Sequence, residues 1–196
     1  MGADTGPMQQ TSLSVLAQAA AKEHDIPAAL ILGVIHVESG GNEYSSRFER
    51  LYRWCVNVHT MKPFAATTAQ AKQATAPDGF PGTDAPHGGY FSSADTEWVQ
   101  QKTSWGVMQI MGAVAREHGY TGPLPELCQA HIGIKYGCLH LSRLRDRFFA
   151  RHGWAGTLDA YNDGTARIER HPDYPDKVAA VSPTARALIY PNGENA

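Results

Sequence analysis

Apolar residues recur three and four positions apart over residues 11–24 (TSLSVLAQAAAKEH), where Leu13, Leu16, Ala17 and Ala20 form one stripe. That spacing predicts an amphipathic helix, which Thr11 or Ser12 can cap with a side-chain oxygen. A second, more buried helix is predicted over 27–38 (PAALILGVIHVE), with Asp25 as cap, Pro27 in its first turn and Gly40-Gly41 as its stop. From about 43 to 103 the period is lost. EYSSRFERLYRWCVNV keeps aromatic and apolar anchors and reads as ordered. ATTAQAKQATAPDGFPGTDAPHGGYFSS is rich in Ala, Thr, Pro and Gly and reads as a long surface excursion. Helical signals return over 104–118 (SWGVMQIMGAVAREH), with Ser104 as a candidate cap. The longest helical pattern covers 129–149, through Ile134, Leu141, Leu144 and Phe148. Arg143, Arg145, Arg147 and Arg151 crowd its end, where cations complement the helix dipole. Short helices are predicted at 155–162 and 174–181. No strand pattern of any length competes, so the expected fold class is mainly α.

Composition narrows the picture. The chain has 196 residues, suited to one domain, or to one domain with a large insertion. At 42% hydrophobic it can bury a real core, which excludes wholesale disorder. Charged residues are only 18%, against ~25% for an average soluble domain. A net charge of −2 argues against a protein held mainly on nucleic acid, because phosphate binding wants a basic excess. Three cysteines, Cys55, Cys128 and Cys138, do not make a disulfide framework. Buried free thiols are the plain expectation, with a Cys128–Cys138 bridge left open. No apolar run approaches the ~18 residues of a membrane span. The start, MGADTGPMQQ, lacks the basic and apolar regions of a signal peptide. It is also a poor myristoylation site. Synthesis in the cytoplasm is therefore expected. A zinc site from Cys128, His131 and Cys138 lacks a fourth ligand at a usual spacing.

Glu38 does not fit its place. Ile31, Val34 and Ile35 precede it by seven, four and three residues and share its helical face, the apolar one. A carboxyl there is partly desolvated, and it sits at the negative end of the helix dipole. Both influences favour the protonated form, which is what a general acid needs. The plainer reading is a Glu turned outward at a frayed helix end. Gln109 and Met111, in WGVMQIM, offer an amide and a soft apolar wall at a helix start. Tyr161 and Asn162, in DAYNDG, offer a phenol and an amide ahead of a glycine loop. Each pair has a plain structural reading beside the functional one.

Taken together, HVESGGN (36–42), SWGVMQIM (104–111), IKYGCLHLSRL (134–144), AYNDG (160–164) and YPDKV (174–178) resemble the soluble lytic transglycosylase family, which shares the goose-type lysozyme fold. The likeness covers about residues 12–42 and 104–181, with about 43–103 as an insertion in one domain spanning 1–196. RFERLYRW and TSWGVMQIMGAVAREHG look most like phage-encoded members, some of them virion-associated. The resemblance implies a lysozyme-like helical domain with a cleft between helices, needing no cofactor or metal. The implied substrate is the peptidoglycan glycan strand, cut between N-acetylmuramic acid and N-acetylglucosamine. Glu38 carries over as the single catalytic acid, then base. Gln109 and Met111 carry over as cleft-lining residues, Tyr161 as a neighbour orienting Glu38, and Asn162 as a polar contact. Ser39 and Asn42 carry over as structural. Virion or secretion-machine components join the glycan strand as candidate partners, with action on periplasmic or cell-wall peptidoglycan.

The chain departs from the family pattern in two places. The insertion replaces a short link in which many members have a substrate-contacting serine, leaving Ser45, Ser46 and Ser104 as candidates. His140 stands where a tyrosine is common, which matters for packing. Two rival functions remain. A hydrolysing muramidase of the inverting kind would need a second carboxylate roughly 6.5–9.5 Å from the first. Glu43, Glu49, Asp95 and Glu97 lie in the insertion, and Glu49 is the best candidate, although pairing with Arg47 or Arg53 is the favoured reading of it. A non-catalytic glycan-binding module of a virion or secretion machine is the other rival. Trp54, Trp98, Trp105 and Trp154 can stack on sugars or fill the core.

Overall fold

The computed structural model describes residues 7–83, 91–166 and 173–193. The N-terminal Met1–Gly2 region and residues 84–90 of the Pro/Gly-rich stretch lie outside them, as do the side chains of Thr11 and Ser12. In chain order the elements are α1 (Pro7–His24), α2 (Ala28–Ser39), β1 (Ser46–Phe48), β2 (Trp54–Asn57), β3 (Lys62–Ala65), α3 (Thr68–Ala71) and α4 (Ala94–Gln101). Then follow β4 (Thr103–Trp105), β5 (Ile110–Met111), α5 (Gly112–Glu117), a 3-10 turn (Leu124–Cys128), α6 (Ala130–Asp163), α7 (Asp173–Val181) and α8 (Pro183–Ile189). Among the described residues the molecule is mainly helical with two small sheets. No described helix is long and apolar enough to cross a membrane.

The chain forms two compact units. The first holds residues 1–42 and 137–196, the second 43–136. In the first unit, Leu13 and Ala17 of α1, Ile31, Val34 and Ile35 of α2, Leu141 and Leu158 of α6, and Val178 of α7 are buried. Gly33 lets α2 and α7 pack closely: a β-carbon there would come within 2.7 Å of Val178 Cγ1. Arg145 ties α6 to the α1–α2 junction, donating from Nη1 to the carbonyl of His24 at 2.9 Å. Gly153, at φ 59° and ψ −161°, breaks α6 close to the predicted boundary between two helices.

Apolar clusters of the second unit's own are seen among its described residues. One gathers Ile110, Tyr120, Leu124 and Leu127. Another gathers Cys55, Ala66, Phe80 and Trp98, with Phe80 and Trp98 edge to face at 5.1 Å. Ala66 and Phe80 lie in the stretch expected to be a surface excursion, and they are part of this core instead. Glu97 is fully buried and bound by Arg116, Nε to Oε1 at 2.8 Å and Nη2 to Oε2 at 3.1 Å. Gln101 adds a donor at 2.9 Å.

Several local expectations are corrected. Residues 104–111 are not the start of a helix. They form β4, a turn and β5, and the sheet runs β1-β4-β5, antiparallel throughout. Gly106 and Gln109 take positive φ, 69° and 47°, which no helix allows. Ser104 is a strand residue, not a cap. Asp25 does not cap α2 either. It occupies the left-handed region at φ 52°, and Pro27 stands at the N-cap with no side-chain bond. α1 starts earlier than predicted, and α8 was not predicted. Its sequence signal is Ser182-Pro183: Ser182 Oγ accepts from the Ala185 N–H at 3.1 Å, with Pro183 at the first helical position.

Candidate active site

Glu38 occupies the last turn of α2, half-buried, on the stripe that continues Ile31, Val34 and Ile35. The helix ends just beyond it. Gly40 adopts the left-handed conformation (φ 62°, ψ 19°) and returns its N–H to the His36 carbonyl at 3.0 Å. Ser39 Oγ donates to the Ile35 carbonyl and accepts from the Gly41 N–H, both at 3.1 Å. These bonds fix the helix end, so the carboxyl leaves a rigid support.

Tyr174 of α7 donates its hydroxyl to Glu38 Oε1 at 2.6 Å. Tyr174 is buried, and its phenol is pushed well above the usual range, first by burial and then by the Glu38 charge. Tyr161, near the end of α6, is held high by burial and then by the same charge. The hydroxyls of Tyr161 and Tyr174 also feel one another. Both therefore remain protonated, and Tyr174 donates to Glu38. A donor to a carboxylate favours its ionised form, opposite in sign to burial and the helix dipole. The first unit thus gathers one carboxyl and two phenols.

Behind Tyr161, His140 lies with ring centroids 5.6 Å apart. Burial, then Arg143, pushes His140 down to about 4, so it is neutral at physiological pH. Asn162 follows Tyr161 and is exposed. The glycine after it, Gly164, takes φ 74° and bonds back to the Ala160 carbonyl at 2.7 Å.

The remaining candidates belong to the second unit. Gln109 donates both Nε2 protons internally, to the Ser45 carbonyl at 2.9 Å and the Gly106 carbonyl at 2.8 Å. Its Oε1 accepts from Ser104 Oγ at 2.9 Å. An amide nitrogen has two protons, so this one has no donor left for a sugar. Gln109 instead ties the loop at Ser45 to the β4–β5 turn. Met111 is half-buried at the N-terminus of α5. Glu49 accepts from Arg47 Nε. Glu97 is committed to Arg116, and Asp95 accepts from the Ala76 N–H at 2.8 Å. Ser104 is buried, whereas Ser46 lies on the exposed strand β1.

Trp98 is core, and Trp154 is buried against Phe149. Trp105 donates its indole N–H to the Gln100 carbonyl at 3.0 Å, and Trp54 is exposed. The three cysteines are free thiols, so the bridge left open between Cys128 and Cys138 is not formed. Burial pushes Cys55 and Cys138 up to about 12, which makes them poor nucleophiles. Among the described residues no group of His, Cys, Asp or Glu is placed to hold a metal ion.

The residue that sequence reasoning missed is Tyr174. It stands in the YPDKV segment, but without tertiary structure nothing assigns it to Glu38. Comparison with protein families, with curated proteins and with solved structures finds no match to this chain.

Proposed function

We propose that the chain is a peptidoglycan lytic transglycosylase of lysozyme-like architecture, cleaving the N-acetylmuramic acid β-1,4 N-acetylglucosamine bond with Glu38 as its one acid and base. The observation that carries this reading is the hydrogen bond between Tyr174 and Glu38. HVESGGN and YPDKV lie 136 residues apart at this pair, yet they meet at a carboxyl and a phenol. AYNDG adds Tyr161 to the same place.

In the proposed reaction, protonated Glu38 gives its proton to the glycosidic oxygen as the C1–O bond breaks. The N-acetyl carbonyl of the muramoyl sugar supports the positive charge at C1. Ionised Glu38 then takes the proton of the C6 hydroxyl as that oxygen bonds to C1. The acid is restored, and a 1,6-anhydromuramoyl end is left with no water consumed. Tyr174 and Tyr161 position the carboxyl and steady its charge between the two steps. Asn162, Gln109 and Met111 keep lesser roles, Gln109 as a positioning residue for its loop. The substrate places the action at the cell wall, and virion or secretion-machine components remain the proposed partners.

Mass spectrometry of muropeptides released from sacculi tests the reading. Anhydro ends are expected, and Glu38→Gln is expected to lose nearly all turnover while keeping the fold. Reducing ends would replace transglycosylation by muramidase hydrolysis, and an active Glu38→Gln would remove Glu38 from the chemistry.

A further inference from the structure

We infer that residues 47–54 of the second unit dock peptidoglycan strands, with arginines taking stem-peptide carboxylates and exposed apolar side chains lying on sugar and methyl faces. This rests on the substrate proposed above, but on different residues.

The segment reads RFERLYRW, an arginine followed by a large apolar residue at every third step: Arg47-Phe48, Arg50-Leu51, Arg53-Trp54. The structure turns this repeat outward. The Tyr52 N–H donates to the Glu49 carbonyl at 2.9 Å, closing a turn with Arg50 and Leu51 at its tip. Between the repeats, Tyr52 packs inward on the Cys55, Phe80 and Trp98 cluster, and the Glu49 N–H is fixed by the Lys102 carbonyl at 2.8 Å. The flanking side chains consequently face water. Phe48 is 46% exposed, Leu51 64% and Trp54 56%. Three exposed large apolar side chains thus fall within seven residues of chain.

The cations narrow the chemistry of the partner to an anionic one. Among the described residues no ion pair engages Arg50 or Arg53. The Arg53 guanidinium lies 4.5 Å over the Trp54 ring, so charge and apolar face are presented together. Arg47 already holds a carboxylate, that of Glu49. The guanidinium fork suits carboxylates. A peptidoglycan strand offers stem-peptide carboxylates beside methyl groups and sugar faces, and this turn offers arginine beside Phe, Leu and Trp. With a net charge of −2, the chain has no general attraction for polyanions, so the contact must be local.

The test is co-sedimentation of the full chain carrying Glu38→Gln, which leaves the matrix undigested, with purified sacculi. Adding Arg50→Ala and Arg53→Ala is expected to weaken binding roughly tenfold, the scale of two exposed charge pairs. Added salt should weaken the parent and barely affect that variant. Amidating the stem-peptide carboxylates should bring the parent down to the variant's level. The same comparison on ice with Glu38 intact covers any loss of fold by Glu38→Gln. Binding unchanged by the arginine substitutions or by amidation overturns the inference. So does arginine-dependent sedimentation with phosphatidylglycerol vesicles but not with sacculi. Turnover by the wild-type chain is read in parallel. Arginine-dependent binding without turnover keeps this inference and overturns the transglycosylase reading. Turnover with arginine-independent binding does the reverse.

Discussion

A phenol 2.6 Å from a carboxylate oxygen can do one thing there, which is to donate. A hydrogen bond to a charged group contributes about 1.5–3 kcal/mol, so Tyr174→Phe is expected to lower kcat by roughly 10–100-fold with the fold retained. It also removes a stabiliser of the ionised form. The alkaline limb of the pH–rate profile, where a general acid is lost, should therefore move to higher pH. A drop in kcat with an unmoved profile would make Tyr174 a packing residue. His140 supports a second expectation. Its folded value is depressed from 6.5 to about 4, so below pH 6.5 the unfolded chain takes up a proton that the folded chain refuses. Stability is full above that point and falls as pH drops towards 4, by up to about 3 kcal/mol. His140→Phe should flatten that loss in denaturant titrations at pH 7 and pH 5. Glu38 was legible from sequence because helical spacing alone puts it behind Ile31, Val34 and Ile35. Tyr174 was not, because its role depends on a partner 136 residues away. Gln109 was legible as a polar residue in a special place. Its commitment to Ser45, Ser104 and Gly106 depends on a turn that no periodicity announces.

Among the elements, α2 and α7 carry Glu38 and its donor, and their spacing is set at Gly33 and Val178. Contacts pair Gly33 with Val178 and Glu38 with Tyr174, so the helices run in opposite directions. In an exposed helix, Gly→Ala adds about 1 kcal/mol of stability. Here the new methyl would stand 2.7 Å from Val178 Cγ1, on a β-branched side chain with little freedom to turn away. Overpacking costs about 1–3 kcal/mol and should win. Gly33→Ala is expected to lower Tm and to reduce turnover by moving Tyr174 off Glu38. Val178→Ala in the same chain should restore part of both. The long helices were readable because their apolar stripes persist over many turns. The β4–β5 hairpin was not, since SWGVMQIM is an apolar run with no distinguishing period. What folds it is the positive φ of Gly106 and Gln109. A side chain at Gly106 would run into the backbone at Leu127, a long-range constraint that sequence does not display.

At the scale of the whole chain, sequence located a break in character near residue 43 but placed its end at 103. The second unit runs to 136, because the hairpin, α5 and the 3-10 turn pack with the preceding segment. The pairing inside its core was not visible in the sequence: Glu97 and Arg116 meet at zero and 2% side-chain exposure. Arg116 also donates from Nη1 to the Tyr120 and Gly122 carbonyls, each at 2.8 Å. Every group in this network lies within 43–136. Removing one member of a buried pair strands the other, at a cost of about 3–5 kcal/mol. Arg116→Met should therefore be strongly destabilising. Combining it with Glu97→Leu should restore only part of the loss, because two carbonyls stay without their donor. Hydrogen exchange gives the sharper measurement. If each unit rests on its own core, Arg116→Met should speed exchange across 43–136 while amides of α1, α2, α7 and α8 keep their protection. Uniform loss of protection through both units would show one cooperative body instead, with the network supporting the helices of Glu38 and Tyr174 as well as its own.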